Sequence, residues 1–234
     1  MFLMENVPGI GGKRGREVLL KFKHEMENAG YSIQETTLDA QNFGVPQRRR
    51  RVLVVGERLD GGGPQFKWPE ESLSSPPTVR DIIAGLPIPP PDGTDHPSHH
   101  GHRADRLSEL NKERLRAIGP GQGRTDLPKE LLAECHMLSA DTIGHRNVYG
   151  RMSWDSVAPT ITARFDSFTR GQFGHPEQVR TISLYEGALL QTFPKDYHFT
   201  GTKVEIARQI ANAIPIKFAT ALGESILTVL KETP

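Results

Sequence analysis

The stretch Gly44-Val45-Pro46-Gln47-Arg48-Arg49-Arg50-Arg51, followed by Val52-Leu53-Val54-Val55-Gly56, decides how this chain is read. The apolar run after a turn-forming, charged lead-in predicts a buried strand from Arg51 to Gly56. Four consecutive guanidiniums at its mouth must each be solvated, paired with a carboxylate or set against phosphate and base oxygens. A solvated basic turn ahead of a core strand is the ordinary reading of such a run. Upstream, Met1-Phe2-Leu3-Met4 reads as the end of a buried strand with Glu5 at its tip. Val18, Leu19, Phe22 and Met26 recur at helical spacing over residues 13–28, and Gly30 follows as a stop. Tyr31 to Leu38 reads as a strand and Asp39 to Gln47 as a loop. Residues 1–58 therefore run strand, helix, strand, strand, an order that suits an α/β sheet.

A second segment changes the weight of the arginine run. Met4-Glu5-Asn6-Val7-Pro8-Gly9 lies upstream of it, and Tyr149-Gly150-Arg151-Met152-Ser153-Trp154-Asp155 with Pro159-Thr160-Ile161-Thr162 lies downstream. Further on come Arg180-Thr181-Ile182-Ser183, Glu186, Leu190-Gln191-Thr192-Phe193-Pro194 and Asn212-Ala213-Ile214-Pro215. In this order, over nearly the whole chain, the blocks resemble the DNA cytosine-5 methyltransferases. The resemblance implies an α/β fold: the second half of a Rossmann-like methyltransferase sheet at 1–58, then a smaller, irregular α+β target-recognition domain at 59–180. A helical segment at 181–234 would pack back on the catalytic domain.

It also implies roles. Carbon 5 of cytosine is a poor nucleophile until a thiolate adds at carbon 6, and charge then builds on ring N3 and O2. By resemblance Glu5 meets N3 and Arg51 meets O2 in a water-poor pocket, the kind of electrostatic stabilisation that dominates many catalytic sites. Asn6 would fix the backbone around Glu5, and Arg49 would hold Glu5 or a phosphate near the flipped base. Gln47 and Thr162 join the DNA-contacting set. Arginine suits guanine edges and phosphates, which adds Arg103, Arg106, Arg124, Arg146, Arg151, Arg164 and Arg170 as candidates. Arg151 and Arg164, in or beside the blocks at Tyr149–Asp155 and Pro159–Thr162, are equally placed to organise the recognition region. Asn212 and Ala213 match the block that lines the S-adenosylmethionine pocket. Ala211 stands where the family usually has Gly, tolerable in helical backbone and hindering at a positive φ.

Two family features do not occur in these 234 residues: the Phe-Xaa-Gly-Xaa-Gly cofactor loop and the Pro-Cys nucleophile. The one cysteine, Cys135, follows Glu134 in a stretch that reads as core filling. The expectation is therefore a C-terminal portion with an incomplete S-adenosylmethionine pocket, acting on duplex DNA with a complementing chain and inactive alone. Such a chain resembles the second subunit of a split enzyme or a truncated copy. The alternatives are a non-catalytic DNA-binding module, an inactive remnant, or self-association through an uncovered sheet edge. A lone cysteine excludes a disulfide framework and points to a reducing, cytoplasmic setting, and no stretch approaches the roughly 20 apolar residues of a membrane span. Net charge is +1, so DNA affinity must come from local patches.

The remaining sequence predicts a short helix opening at Thr78, two more at Ala104–Ile118 and Asp126–Leu138, and helices entered through Ser183-Leu184-Tyr185-Glu186 and Thr202-Lys203-Val204-Glu205. After Pro215 a last helix would show Ala219, Leu222, Ile226 and Val229 on its apolar face. His96, His99, His100 and His102 have no paired cysteines and lie in a Pro/Ser/Gly-rich loop, which reads as solvated or DNA-facing rather than metal-binding.

Overall fold

The structure is a computed structural model that describes residues 1–61, 65–71, 75–133 and 148–232. It divides into two units, Met1–Pro76 with Ile216–Pro234, and Pro77–Pro215. Residues 181–215 thus belong with 77–180, and the last helix belongs with the first 76 residues.

In the first unit the predicted order holds: β1 (Phe2–Asn6), α1 (Arg16–Asn28), β2 (Tyr31–Asp39) and β3 (Arg50–Arg58). The sheet order is β1-β3-β2, and both pairings are antiparallel. β1 and β2 accordingly run the same way, joined through α1, with β3 returning between them. Strand alternation sorts β3 cleanly. Val52 and Val54 face Leu19 of α1, with Phe2, Met4 and Ile33 beside them. Val55 faces Phe66 and Val229 on the other side. Val229 lies on α6 (Ile216–Glu232), so the sheet is covered on both faces, as its apolar run requires.

Two helix faces differ from expectation. Val18 is exposed, because α1 buries Leu19 and partly Phe22, while Arg16 and Lys23 reach Glu35 on β2 at 3.2 and 3.0 Å. On α6 the buried residues are Phe218, Leu222 and Val229, and Ala219 is exposed. A volume-rich ring one position away outweighs a methyl group when a helix chooses its inward face.

The second unit packs α2 (Val79–Ile83), α4 (Leu184–Leu190) and α5 (Lys203–Asn212) around Met152, Ile161, Phe165, Ile182 and Ile210. A smaller cluster joins Leu115 of α3 (Glu109–Arg116) to Ile118, Leu127 and Phe168. Strand pairing among its described residues is limited to isolated bridges such as Arg151 with Gly174. Capping boxes open α2, α4 and α5, with Thr78, Ser183 and Thr202 each accepting from the third residue of its helix. α3 is shorter than Ala104–Ile118 because Ser108 caps it. The helix expected from Asp126 is replaced by 3-10 turns at Arg124–Asp126 and Lys129–Leu131. Pro128 disfavours helical backbone at Leu127, which is extended. Residues 134–138 of that expected helix, Cys135 among them, lie outside the described residues.

Two substitutions test this packing. Leu19→Ala should lower the stability of the first unit by about 2–4 kcal/mol in urea unfolding, since the side chain is fully buried between helix and sheet. An alanine inside a helix is ordinarily worth about 1 kcal/mol over glycine. At Gly187 of α4 an added Cβ would collide with the buried Phe165 ring, so Gly187→Ala should destabilise the second unit instead.

Candidate functional site

Glu5 is opposite Leu53 in the β1–β3 ladder, and Arg51 lies two residues before Leu53. Residues so related share one face of the sheet as diagonal neighbours, within reach of long side chains. Arg51 Nε donates to Glu5 Oε1 at 2.5 Å, and Arg51 Nη1 donates to the Arg50 carbonyl at 2.8 Å. The two side chains are 10% and 24% exposed, so the pair is shielded yet reachable.

The same alternation divides the arginine run. Arg49 and Arg51 are buried, whereas Arg48 and Arg50 are exposed. Burial, then the neighbouring Arg51 cation, hold Arg49 down at about 10, with the Glu5 carboxylate opposing them. It remains cationic at neutral pH. Gln47, ahead of them, is fully buried. Asn6 turns its Oδ1 back on the chain and accepts the Val7 N–H at 2.9 Å, fixing the exit from β1 before Pro8. Glu5, Asn6, Gln47, Arg49 and Arg51 are thus assembled at one end of the sheet in the first unit. Sequence reasoning missed Asp39, whose carboxylate accepts the Arg49 N–H at 2.9 Å and the Gln41 N–H at 3.3 Å. Its only signal was an Asp at a strand end, which suits many loops.

In the second unit burial separates the candidate arginines. Arg151 is 4% exposed and donates to four carbonyls: Ile118 at 3.1 Å, His175 at 2.6 Å, Gln178 at 3.0 Å and Leu115 at 2.5 Å. It ties the end of α3 and the 175–178 loop to a single planar group. Arg124 is also buried. Arg106, Arg164, Arg170 and Thr162 are exposed, and Arg103 is half-buried, 3.7 Å from Asp95. Arg164 is anchored at 3.2 Å by the buried carboxylate of Asp166, which also holds Lys203 at 3.2 Å. Arg103, Arg106 and Lys203 line a cavity of about 170 Å³ with Asp105 and Asp166. Arg146 lies outside the described residues.

Asn212 is the exposed last residue of α5, and Ala213 starts the extended exit from it. Gln191 steadies this end by donating to the Ile210 carbonyl at 2.6 Å and the Ala213 carbonyl at 3.4 Å. Ala211 sits within the helix, the conformation in which its methyl group is tolerated. Among the described residues no three His, Cys, Asp or Glu side chains converge as a metal-binding set. His102 is instead buried between the Pro87 carbonyl and Ser183 Oγ, each at 2.8 Å. The carbonyl can only accept, so Nε2 carries the proton and Nδ1 accepts from Ser183.

Sequence reasoning also missed the ion pair at the centre of this unit. Arg180 grips the buried Glu186 carboxylate with two hydrogen bonds of 2.7 Å, and the Ser183 N–H adds a third at 2.7 Å. Burial alone would raise the Glu186 pKa, but Arg180, His175 and the backbone bond from Ser183 overcome it and hold it below the ordinary value. Burial pushes His175 down to about 4 against the pull of Glu186, and it lowers His102 as well.

The fold is that of the α/β methyltransferases. The chain is similar over 99% of its length to a crystal structure described as a DNA modification methyltransferase of an Escherichia coli prophage, with a TM-score of 0.71 and 21% identity, covering 70% of that chain. Over 98% of its length it is similar to Dnmt2 of S. pombe, with a TM-score of 0.59 and 17% identity, covering 66% of that chain. Residues 1–228 match the family described as C-5 cytosine-specific DNA methylase, and the chain belongs to that family. It is 37% identical over 97% of its length to the type II methylase M.HgiDII of Herpetosiphon aurantiacus. It is 31% identical over 99% of its length to the type II methyltransferase M.NgoFVII of Neisseria gonorrhoeae. The chain spans 64% and 59% of those two proteins.

The buried titratable groups set a pH dependence. A histidine held neutral in the fold binds its proton more readily once unfolded, so stability falls as pH drops below its unfolded value near 6.5. A carboxylate with a depressed pKa adds a loss that begins below about 4.5. The urea midpoint of the second unit should be flat near pH 7–8 and fall from pH 6.5 downward, His175 accounting for roughly 3 kcal/mol by pH 4. His175→Gln should flatten the upper part of that fall, leaving the contribution of His102.

Proposed function

We propose that this chain forms the cytosine pocket and the DNA-recognition region of a DNA (cytosine-5-)-methyltransferase acting on duplex DNA. The observation that carries the reading is the diagonal Glu5–Arg51 pair, with the buried Arg49 cation beside it. A carboxyl group and a guanidinium fixed side by side on one sheet face match the N3 and O2 edge of a flipped cytosine. Arg51 uses Nε for Glu5 and Nη1 for a backbone carbonyl, leaving Nη2 as the donor for O2. Glu5 in its carboxylic-acid form donates to N3 and passes its proton there as thiolate addition at carbon 6 drives negative charge onto the ring, and the carboxylate left behind accepts from N3–H beside the Arg49 and Arg51 cations. Asn6 holds the strand exit rigid, so the carboxylate meets the base at a set angle.

The thiolate and the cofactor loop come from sequence beyond these 234 residues, carried on a complementing segment or chain with the Pro-Cys and Phe-Xaa-Gly-Xaa-Gly motifs. S-adenosylmethionine supplies the methyl group when bound. On this chain the exposed Asn212 amide is the group offered to it, at the point where the chain leaves α5. β1 is an edge of the described sheet, open to pairing with such a segment. The exposed Arg106, Arg164 and Arg170, with the half-buried Arg103, supply phosphate and base contacts.

The test is transfer of labelled methyl groups to mixed-sequence duplex DNA by this chain together with a polypeptide bearing the two missing motifs. Methylation at cytosine carbon 5 is expected in the mixture. Glu5→Gln and Arg51→Ala should each lower kcat by about a hundredfold, the loss typical of one transition-state electrostatic contact. A mixture that methylates equally well with either variant would refute the pocket assignment. For DNA binding, Arg106→Ala should weaken affinity alike on all sequences and reduce the salt slope by about one, as expected of a phosphate contact.

A further inference from the structure

The loop from Ala40 to Arg49 delivers Gln47, Arg49 and then Arg51 to the proposed pocket, and one side chain closes both of its ends. Asp39, the last residue of β2, accepts the Arg49 N–H and the Gln41 N–H on the same oxygen, Oδ1, at 2.9 and 3.3 Å. Its Oδ2 takes the Gln41 side-chain amide at 3.1 Å. The Ala40 N–H reaches the Arg49 carbonyl at 3.0 Å, so the first and last residues of the loop are also bonded through the backbone. Gly44, at a φ of 72°, makes the reversal, and the ring of Phe43 packs on Phe218 of α6 with centroids 5.1 Å apart. The loop is held from inside by Asp39 and from outside by the last helix.

What this closure controls is register. A slip of one residue turns every side chain of a strand to the opposite face. Here it would withdraw Arg49 and Arg51 and present Arg48 and Arg50, and a run of four identical side chains has no hydrophobic contrast of its own to resist that exchange. We infer that Asp39 is a positioning residue of the cytosine pocket: its Oδ1 sets the register at which β3 leaves the loop, so that Arg49 and Arg51 share a face with Glu5. Both amides that fix the register converge on that one acceptor, so the requirement is for an oxygen at this place and not for negative charge. The inference rests on the pocket assignment made above.

The experiment compares Asp39→Asn, which keeps an acceptor, Asp39→Ala, which removes it, and Gln41→Ala, which removes only the Oδ2 contact. Two quantities are read: amide hydrogen exchange at Arg49 and Gln41 in this chain, and kcat and KM for methyl transfer with the complementing polypeptide. Asp39→Ala should speed exchange at Arg49 by tenfold or more. It should lower kcat by about thirty- to a hundredfold with KM for DNA within about threefold, since ångström-scale misplacement of a catalytic group costs that much. Asp39→Asn and Gln41→Ala should stay within about threefold of the parent in both readouts. Where Asp39→Ala does not fold, Asp39→Ser, whose hydroxyl falls short of both amides, replaces it. Damage by Asp39→Asn equal to that by Asp39→Ala would overturn the inference, as would a change confined to KM or an unchanged Arg49 amide. A parent mixture without methyl transfer would instead sink the pocket assignment, and the role of Asp39 with it, while the exchange data still report whether the clamp exists.

Discussion

Burying a guanidinium is the constraint around which this chain is built. Arg49, Arg51, Arg114, Arg124, Arg151 and Arg180 are all buried, and each brings a planar cation with five donors into a region where unmet donors are costly. The solutions differ with the job. Arg151 is met by four backbone carbonyls, which joins the end of α3 to the 175–178 loop. Arg180 is met by a carboxylate in a two-pronged grip, and that carboxylate also caps α4. Arg114 donates to the Leu131 carbonyl and lies 4.7 Å from the centre of the Tyr149 ring. Irregular backbone is thereby held in place in a unit whose strand pairing is slight.

The pair Glu5–Arg51 obeys a different logic. Glu5 is only partly buried, and a second cation, Arg49, lies beside the pair, its pKa lowered first by its own burial and then by the Arg51 guanidinium. A structural ion pair gains nothing from an added like charge. Two cations held beside one carboxylate in a shielded place are the arrangement on which the proposed pocket rests.

How much of this was legible beforehand varies with range. Strand alternation in the apolar run, the helix spacing around Leu19 and the hydroxyl-to-carboxylate spacing at Ser183 and Thr202 are local signals, and they appear in the structure as elements and caps. The residues gathered with Glu5 were legible through the motif order. What escaped was non-local. Arg180 and Glu186 are close in sequence, yet nothing in the string says that both are buried. Arg151 finds its partners among carbonyls, which every residue carries and no sequence marks. Phe218 displaced Ala219 from the inner face of α6 because a ring was waiting at Phe43. Leu127-Pro128 ended a helix that the apolar spacing favoured, a case of backbone sterics overruling periodicity.

The path of the chain carries one more consequence. It leaves the first unit between Pro76 and Pro77 and comes back between Pro215 and Ile216, so residues 77–215 form an insert bracketed by prolines. Proline restricts both itself and the residue before it, so each junction ends neighbouring secondary structure on its own account. The sheet, its two covering helices and the arginine loop are therefore built from two stretches far apart in sequence. During synthesis the sheet therefore waits, with one apolar face uncovered, until the whole insert has been made and α6 follows it.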